Sequence, residues 1–267
     1  MAADRRLMCV LAHPDDESLG TGGILAKSAA DGVETTLITA TTGQRGRYGL
    51  SAEHPGIETV GRVRAGELRA AAEVLNVKHL HILGYLDGEL DAAPPAAIIA
   101  EIAALIRRHR PQVVITFDPF GAYGHVDHIA ISQFTGAAIV QAAGSAAGVP
   151  DPPHQVQKLY YFVNSQPVWD LYQAAFKQLT YKVDDVVRQA SAWPDWSITT
   201  RIDTSAHWQT VWNAILCHKT QLTIYDKLRD LPEAAHLVLW GRQEYYRAFS
   251  LVNGSRRVEH DLFDGIP

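Results

Sequence analysis

Two short stretches carry residue types that folding alone does not call for. AHPDDE, Ala12 to Glu17, sets one imidazole, a proline and three carboxylates directly behind an apolar run, and DPFGAYGHVDH, Asp118 to His128, sets two histidines and two aspartates behind another. Imidazole nitrogen and carboxylate oxygen are the donors of a hydrolytic zinc centre, which takes three protein ligands and keeps a position for water. His13, Asp16 and His128 can supply two imidazoles and one carboxylate of that kind. Pro14 biases His13 towards extended backbone, which holds the donor at the tip of the preceding run instead of folding it into a helix. Asp15, beside a ligand but not needed as one, is then free to act as a general base on water. His125 and Asp127 form a further pair. A carboxylate on one ring nitrogen raises the basicity of an imidazole and orients the other nitrogen, which suits oxyanion stabilisation or proton delivery to a leaving amine. Taken singly, the same residues have plainer uses: acids in a first turn complement the positive end of a helix. Their conjunction is what favours a metal centre.

The elements around these stretches decide whether they can meet. Leu7 to Leu11, Thr35 to Ala40, Leu80 to Leu83, Val113 to Phe117 and Leu159 to Val163 read as short strands, several of them apolar throughout and so covered on both faces. Helical spacing fills the intervals at Ser18 to Ala30, Val60 to Leu75, Ala96 to Arg108 and Asp127 to Ala143. Strand and helix in alternation predict an α/β fold with a Rossmann-like, doubly wound, mostly parallel sheet and helices on both faces. Both chemical stretches then leave carboxyl ends of parallel strands, the edge on which such sheets bind ligands. After Val163 the pattern turns aromatic and irregular. Asp170 to Leu179, His207 to His218 and Glu244 to Phe249 read as helices, and Ser197 to Ile202 as a strand. A single domain over 1–267 is expected, with a metal-site core in 1–165 and a helical or irregular part in 166–267 that completes the pocket.

Composition narrows the function further. A formal net charge of −5 with no cluster of Lys or Arg argues against a nucleic-acid partner. No apolar run reaches the ~18 to 20 residues of a membrane span, and the amino terminus lacks the pattern of a signal peptide. The expectation is a cytoplasmic protein with a small-molecule substrate, and a homo-oligomer stays open. Cys9 and Cys217 have neither metal-type spacing nor the density of a disulfide scaffold and read as buried fillers. GTGG, Gly20 to Gly23, lacks the spacing of a dinucleotide fingerprint and reads as a device for close helix-to-sheet packing. The rival functions are a nucleotide-binding module without hydrolytic activity, which leaves HVDH unexplained, and a metal phosphoesterase, which in its two-metal form needs about two ligand sets.

These motifs resemble the zinc-dependent N-acetylglucosaminyl deacetylases of the LmbE-like, PIG-L group, which includes enzymes of mycothiol and bacillithiol biosynthesis and of glycosylphosphatidylinositol anchor synthesis. AHPDDE followed by GTGGILA matches the opening motif, and YGHVDH, Tyr123 to His128, the second. The resemblance implies one Zn2+ per chain, other divalent ions being admissible, held by His13, Asp16 and His128. It also implies Asp15 as general base, His125 on the tetrahedral intermediate, Asp127 supporting His125, and Tyr123 assisting at the oxyanion. RAGELRAAAEVL, Arg64 to Leu75, resembles a helix whose arginine reaches substrate, and GYLDGEL a substrate-side loop carrying Asp87. CHKTQ, Cys217 to Gln221, resembles a late histidine motif, with the role of His218 left open. Two departures stand out: Val126 replaces a proline, and TTGQRGRYG stands where an acidic turn is usual, adding Gln44, Arg45 and Arg47 near the expected pocket rim. The implied reaction is removal of an acyl group, an acetyl group above all, from the nitrogen of an N-acyl amino sugar or small glycoconjugate.

Overall fold

The computed structural model describes residues 4–51, 53–145, 151–176, 180–183, 185–189, 191–254 and 257–267. Its strands are β1 (Arg6–Leu11), β2 (Glu34–Thr41), β3 (His79–Tyr85), β4 (Val113–Thr116), β5 (Lys158–Val163), β6 (Thr180–Val183), β7 (Val186–Gln189), β8 (Thr200–Asp203) and β9 (Arg242–Ser250). The helices are α1 (Asp16–Ala30), α2 (Ile57–Val74), α3 (Pro95–His109), a single turn α4 (Gly121–Gly124), α5 (Val126–Ala143), α6 (Gln166–Phe176), α7 (Trp208–Ile215), α8 (Leu222–Arg229) and α9 (Glu233–Trp240).

Seven strands form one sheet in the order β3-β2-β1-β4-β5-β9-β8. The first five are parallel, and β9 joins antiparallel to both β5 and β8. β4 and most of β1 and β2 are buried residue after residue, as strands covered on both faces must be. Helices supply that cover: α3 packs on α5, while α1 and α2 share α7 as a neighbour. The order reverses between β1 and β4, which pair directly with Leu7 opposite Val113 and Cys9 opposite Ile115. Such a reversal point opens a crevice at the carboxyl ends, because the two connections leave it in opposite directions. The two chemical stretches follow these two strands.

The last hundred residues depart from expectation. Glu244 to Phe249 lies inside β9 and is not helical. Its partners, β5 and β8, are distant in sequence, and their hydrogen bonds and the burial of Tyr245 decide its conformation over the short local pattern. The expected strand near Ser197 to Ile202 is β8, and helix α6 begins earlier than Asp170, with 177–179 outside the described residues. The β6–β7 hairpin, α8 and α9 had no counterpart in the sequence reading. Cys9 is buried, but Cys217 is partly exposed in a turn after α7. GTGG does serve close packing against the sheet, since a Cβ on Gly20 would meet Phe162 of β5 at 3.0 Å, and also against a helix, since one on Gly22 would meet Val211 of α7 at 3.1 Å.

Candidate active site

The loop after β1 is built around Asp16. Its Oδ2 accepts the backbone N–H groups of Ala12 and His13 at 3.2 and 2.7 Å, so the carboxylate that opens α1 also fixes the backbone of His13. Asp15 stands between them at φ 106, a left-handed conformation that a non-glycine residue adopts only when its surroundings impose it.

His13 and His128 are oriented from behind. The Nε2 of His13 lies 2.9 Å from Asp127 Oδ2 and 3.2 Å from Asp87 Oδ1, so this nitrogen carries a proton and donates it. Its Nδ1 then faces inward. The Nδ1 of His128 lies 3.3 Å from the carbonyl oxygen of Gly121, which makes it a donor as well, and the ring stacks on Phe117 with centroids 3.8 Å apart. His128 Nε2 therefore also faces inward with a lone pair. The two inward nitrogens are 3.1 Å apart, His128 Nε2 is 3.5 Å from Asp16 Oδ1, and His13 Nδ1 is 3.6 Å from Asp16 Oδ2. A tetrahedral ion with bonds of about 2.1 Å separates its donors by about 3.4 Å. Two imidazole nitrogens in such contact share a proton or a cation that displaces it, so the donor set fits a divalent metal. Carboxylate backing of a ligating imidazole is the usual arrangement around such ions.

Charge agrees with this reading. Burial, together with the neighbouring imidazoles, pushes His128 down to about 3, so its ring is neutral. Burial opposes the charged form of Asp16, but His128 and His13 prevail and hold it well below the usual carboxylate range. For His13, burial is outweighed by Asp127, Asp16 and Asp87, and its pKa is raised. Three carboxylates around two imidazoles make an excess of negative charge that a divalent cation neutralises.

Asp127 does not support His125 with its carboxylate. That group serves His13 and accepts the backbone N–H groups of Gly88 and Leu90 at 2.7 and 3.0 Å. His125 is held instead through its Nδ1, which accepts the backbone N–H of Asp127 at 3.2 Å. Burial and then the nearby His13 lower His125 to about 4. Its ring nitrogen comes within 4.8 Å of donors on His13 and His128, so a three-histidine set is the alternative grouping. In the set with Asp16 the separations are 3.1 to 3.6 Å, His13 meeting Oδ2 of the carboxylate and His128 meeting Oδ1.

Asp15 is clamped. Arg64 Nη2 and the hydroxyl of Tyr225 donate to its Oδ2 at 3.0 and 2.7 Å. Burial raises the Asp15 pKa, although Arg64 and Tyr225 pull it down. Arg64 also binds the carbonyl oxygens of Pro14 and Gly43, and a Cβ on Gly43 would sit 2.1 Å from its guanidinium. Its bonds thus run to the protein's own loops, although it lines the pocket. Asp87 accepts the backbone N–H of Arg45 at 3.0 Å and faces His13, which outweighs burial and brings it to about 2. Tyr123 lies edge-on to His128, with centroids 5.4 Å apart. Of the unusual turn after β2, Arg45 lines the pocket and pairs with Glu89, Gln44 is buried, and Arg47 gives its carbonyl oxygen to Gln221.

The cavity holds about 540 Å³ and is closed on one side by Tyr172, Phe176, Tyr181 and Tyr225 from the last hundred residues. The sequence reading missed Tyr225, which belongs to no recognisable motif. His218 is not with the metal donors. It pairs with Glu17 at 2.7 Å, both fully buried, while Thr220 binds Glu67 of α2 through its N–H and hydroxyl at 2.8 and 2.7 Å. The late histidine motif therefore docks behind Asp15.

The profile of the family described as GlcNAc-PI de-N-acetylase, PIG-L, matches residues 8–139. A 1D-myo-inositol 2-acetamido-2-deoxy-alpha-D-glucopyranoside deacetylase of Thermobifida fusca (strain YX) is 35% identical over 249 residues, covering 83% of this chain and 85% of that one. The enzyme of the same name from Mycobacteroides abscessus is 36% identical over 98% of each chain. Among solved structures, GalB, the 4-carboxy-2-hydroxymuconate hydratase from Pseudomonas putida KT2440, superimposes with a TM-score of 0.68 at 19% identity, covering 94% of this chain and 99% of that one. A hydratase on this architecture shows that the fold alone does not fix the reaction. Similarity over nearly the whole length does more: the chain belongs to the GlcNAc-PI de-N-acetylase family, PIG-L, and is a hydrolytic N-deacetylase.

Proposed function

We propose that the chain is a zinc-dependent deacetylase that frees the amine of an N-acetylglucosamine glycoside with a small polyol aglycone, of the kind named for its relatives. One observation carries the reading: two inward imidazole nitrogens and the two oxygens of one carboxylate, with contacts of 3.1 to 3.6 Å, lining a cavity with a clamped Asp15 on its wall. His13, Asp16 and His128 hold the ion. When bound, it polarises the acetyl carbonyl and makes its water a stronger acid.

The chain's own residues do the rest. Both clamping donors use Oδ2 of Asp15, which leaves Oδ1 to take the proton of the attacking water and later pass it to the leaving nitrogen. His125 accepts a backbone N–H at Nδ1, so its neutral ring carries the proton on Nε2 and donates to the oxyanion from there. Asp127 acts on His13, and Tyr123 and Asp87 line the sugar's side of the pocket. The part 166–267 completes the pocket through its aromatic wall. The nucleotide-binding and phosphoesterase alternatives find no support among the relatives.

The test is a screen of GlcNAc-inositol, GlcNAc-malate and N,N'-diacetylchitobiose for released amine, using enzyme freed of metal and then given zinc. Turnover of GlcNAc-inositol that returns with zinc is expected. Equal rates with and without metal overturn the zinc assignment, and release of amine from none of the three overturns the substrate class.

A further inference from the structure

A second group of histidines lies at the opposite edge of the sheet. His79 and His81 alternate on the edge strand β3, so both point to the same face. His109 ends α3, and Glu34 opens the neighbouring strand β2. All four sit at amino ends of strands or the carboxyl end of a helix, whereas His13 and His128 follow carboxyl ends of strands. The two clusters share no residue.

The distances are those of a gathered donor set. Glu34, His79 and His109 each offer one ligand atom, all within 4.8 Å of one another. His79 Nε2 is 3.4 Å from Glu34 Oε1, and the rings of His79 and His109 have centroids 4.6 Å apart. His81 Nε2 and His109 Nε2 approach to 2.8 Å. Two neutral imidazoles meet so closely only by sharing one proton, and a cation that displaces that proton gives both nitrogens a partner. The carboxyl end of α3 adds negative dipole at the same point. Arg6 shares Glu34 at 3.9 Å and Arg108, turned to Asp151 at 4.0 Å, stands nearby. Arg6 competes for the Glu34 oxygen that faces His79, which weakens the site, but neither cation takes an imidazole nitrogen.

We propose that Glu34, His79 and His109, with His81 alongside, form a second metal site at the amino edge of the sheet, selective for late first-row divalent ions such as Zn2+, Ni2+ or Co2+. Imidazole-rich sets with one carboxylate suit those ions over Mg2+ or Ca2+. Bound metal would tie the edge strand β3 to β2 and to the end of α3. Half-exposed ligands and a single carboxylate make it the weaker of the two sites, filled after the catalytic cluster as metal is added.

Equilibrium dialysis against Co2+ tests this on chelator-treated wild type and on His79→Ala/His109→Ala. The wild type should hold one more equivalent than the variant, and the visible absorption of that extra cobalt should be missing from the variant. Zn2+ should raise the wild-type Tm beyond the point at which activity saturates, and the variant's should stop there. Deacetylation by the zinc-loaded variant should match wild type, because no altered residue lines the cavity. Equal cobalt counts in the two proteins overturn the proposal. The readout is a difference, independent of whether the catalytic cluster keeps its own ion. Should circular dichroism show the double alanine variant unfolded, Glu34→Gln/His109→Gln keeps the side-chain volumes and is judged by the same count.

Discussion

The loops leaving β1 and β4 and the segments returning from the last third of the chain face one cavity and contribute differently to it. The loops supply His13, Asp15, Asp16, His125 and His128, with Asp87 added from the loop after β3. The returning segments supply groups that hold those donors. Tyr225 reaches Asp15, His218 neutralises Glu17 beside it, and Thr220 pins the helix that carries Arg64. Reactive groups thus come from strand ends that the sheet fixes, and their settings come from segments without a place in the parallel core. Changes in the first region should abolish chemistry, and changes in the second should detune or loosen it.

The sharpest contrast lies between adjacent acids. Asp15→Asn should keep its metal and lose about 10² to 10⁴ in kcat, the range for a missing general base. Asp16→Asn should lose metal and recover part of its activity in excess zinc. Bound zinc and kcat for both variants, with circular dichroism for folding, check this. A metal-depleted Asp15→Asn beside a metal-replete Asp16→Asn would reverse the two roles.

Next comes the buried pair in the second region. His218→Ala leaves the Glu17 carboxylate buried without its partner, and loss of one member of such a pair costs roughly 3 to 5 kcal/mol. The pH dependence has a definite sign. For His218 burial opposes the charge but Glu17 prevails and raises the pKa, so its stabilisation is full below about 6.5 and fades as pH rises through the folded value. For Glu17, burial is outweighed by His218 and the pKa is lowered, so its stabilisation is present above about 4.3 and lost as pH falls through the folded value. The deficit of the variant, followed by urea unfolding, should therefore be greatest between those limits. A variant as stable as wild type at pH 5.5 would mean that the pair does not hold the two regions together.

Asp127→Asn probes the first region from behind. Acting through His13, it should weaken zinc binding by about 10- to 100-fold, the usual cost of losing a partner of a ligating histidine. Unchanged metal affinity with an altered basic limb of the rate profile would restore the role read from the sequence, support of His125.

What the sequence discloses follows the same division. β1, β2 and β4 are buried on both faces, so their apolar runs announce themselves, and HPDD and HVDH are conspicuous because they lie in the segments that follow two of these strands. The partner of the Asp127 carboxylate was not legible. It depends on β1 lying beside β4, which sets His13 closer to that carboxylate than His125, two residues away in the chain. β9 was misread because its alternation is masked by adjacent tyrosines and by Glu244, whose burial rests on Arg201 and Arg242. Tyr225 gave no signal at all, since one tyrosine on a short helix 210 residues from Asp15 is indistinguishable from packing.

The smallest effect expected is also the one that isolates the second region. Tyr225→Phe removes a hydroxyl and nothing else from the aromatic wall, so pocket shape and metal content should stay as in wild type. The lost hydrogen bond favoured the ionised form of Asp15, where burial already presses the other way and Arg64 and His218 would remain to oppose it. The Asp15 pKa must then rise, and the acid limb of kcat/KM must move to higher pH. A hydrogen bond to a charged group is worth about 1.5 to 3 kcal/mol, which bounds the displacement at about one to two pH units. Above the displaced limb the base is ionised in both proteins, and kcat should differ only a few-fold. Below it the variant should fall away first, so at a fixed mildly acidic pH its deficit approaches tenfold per unit of displacement. An acid limb in the same place would show that Tyr225 packs against Asp15 without tuning it, and a drop in kcat that is uniform across pH would assign the hydroxyl to substrate.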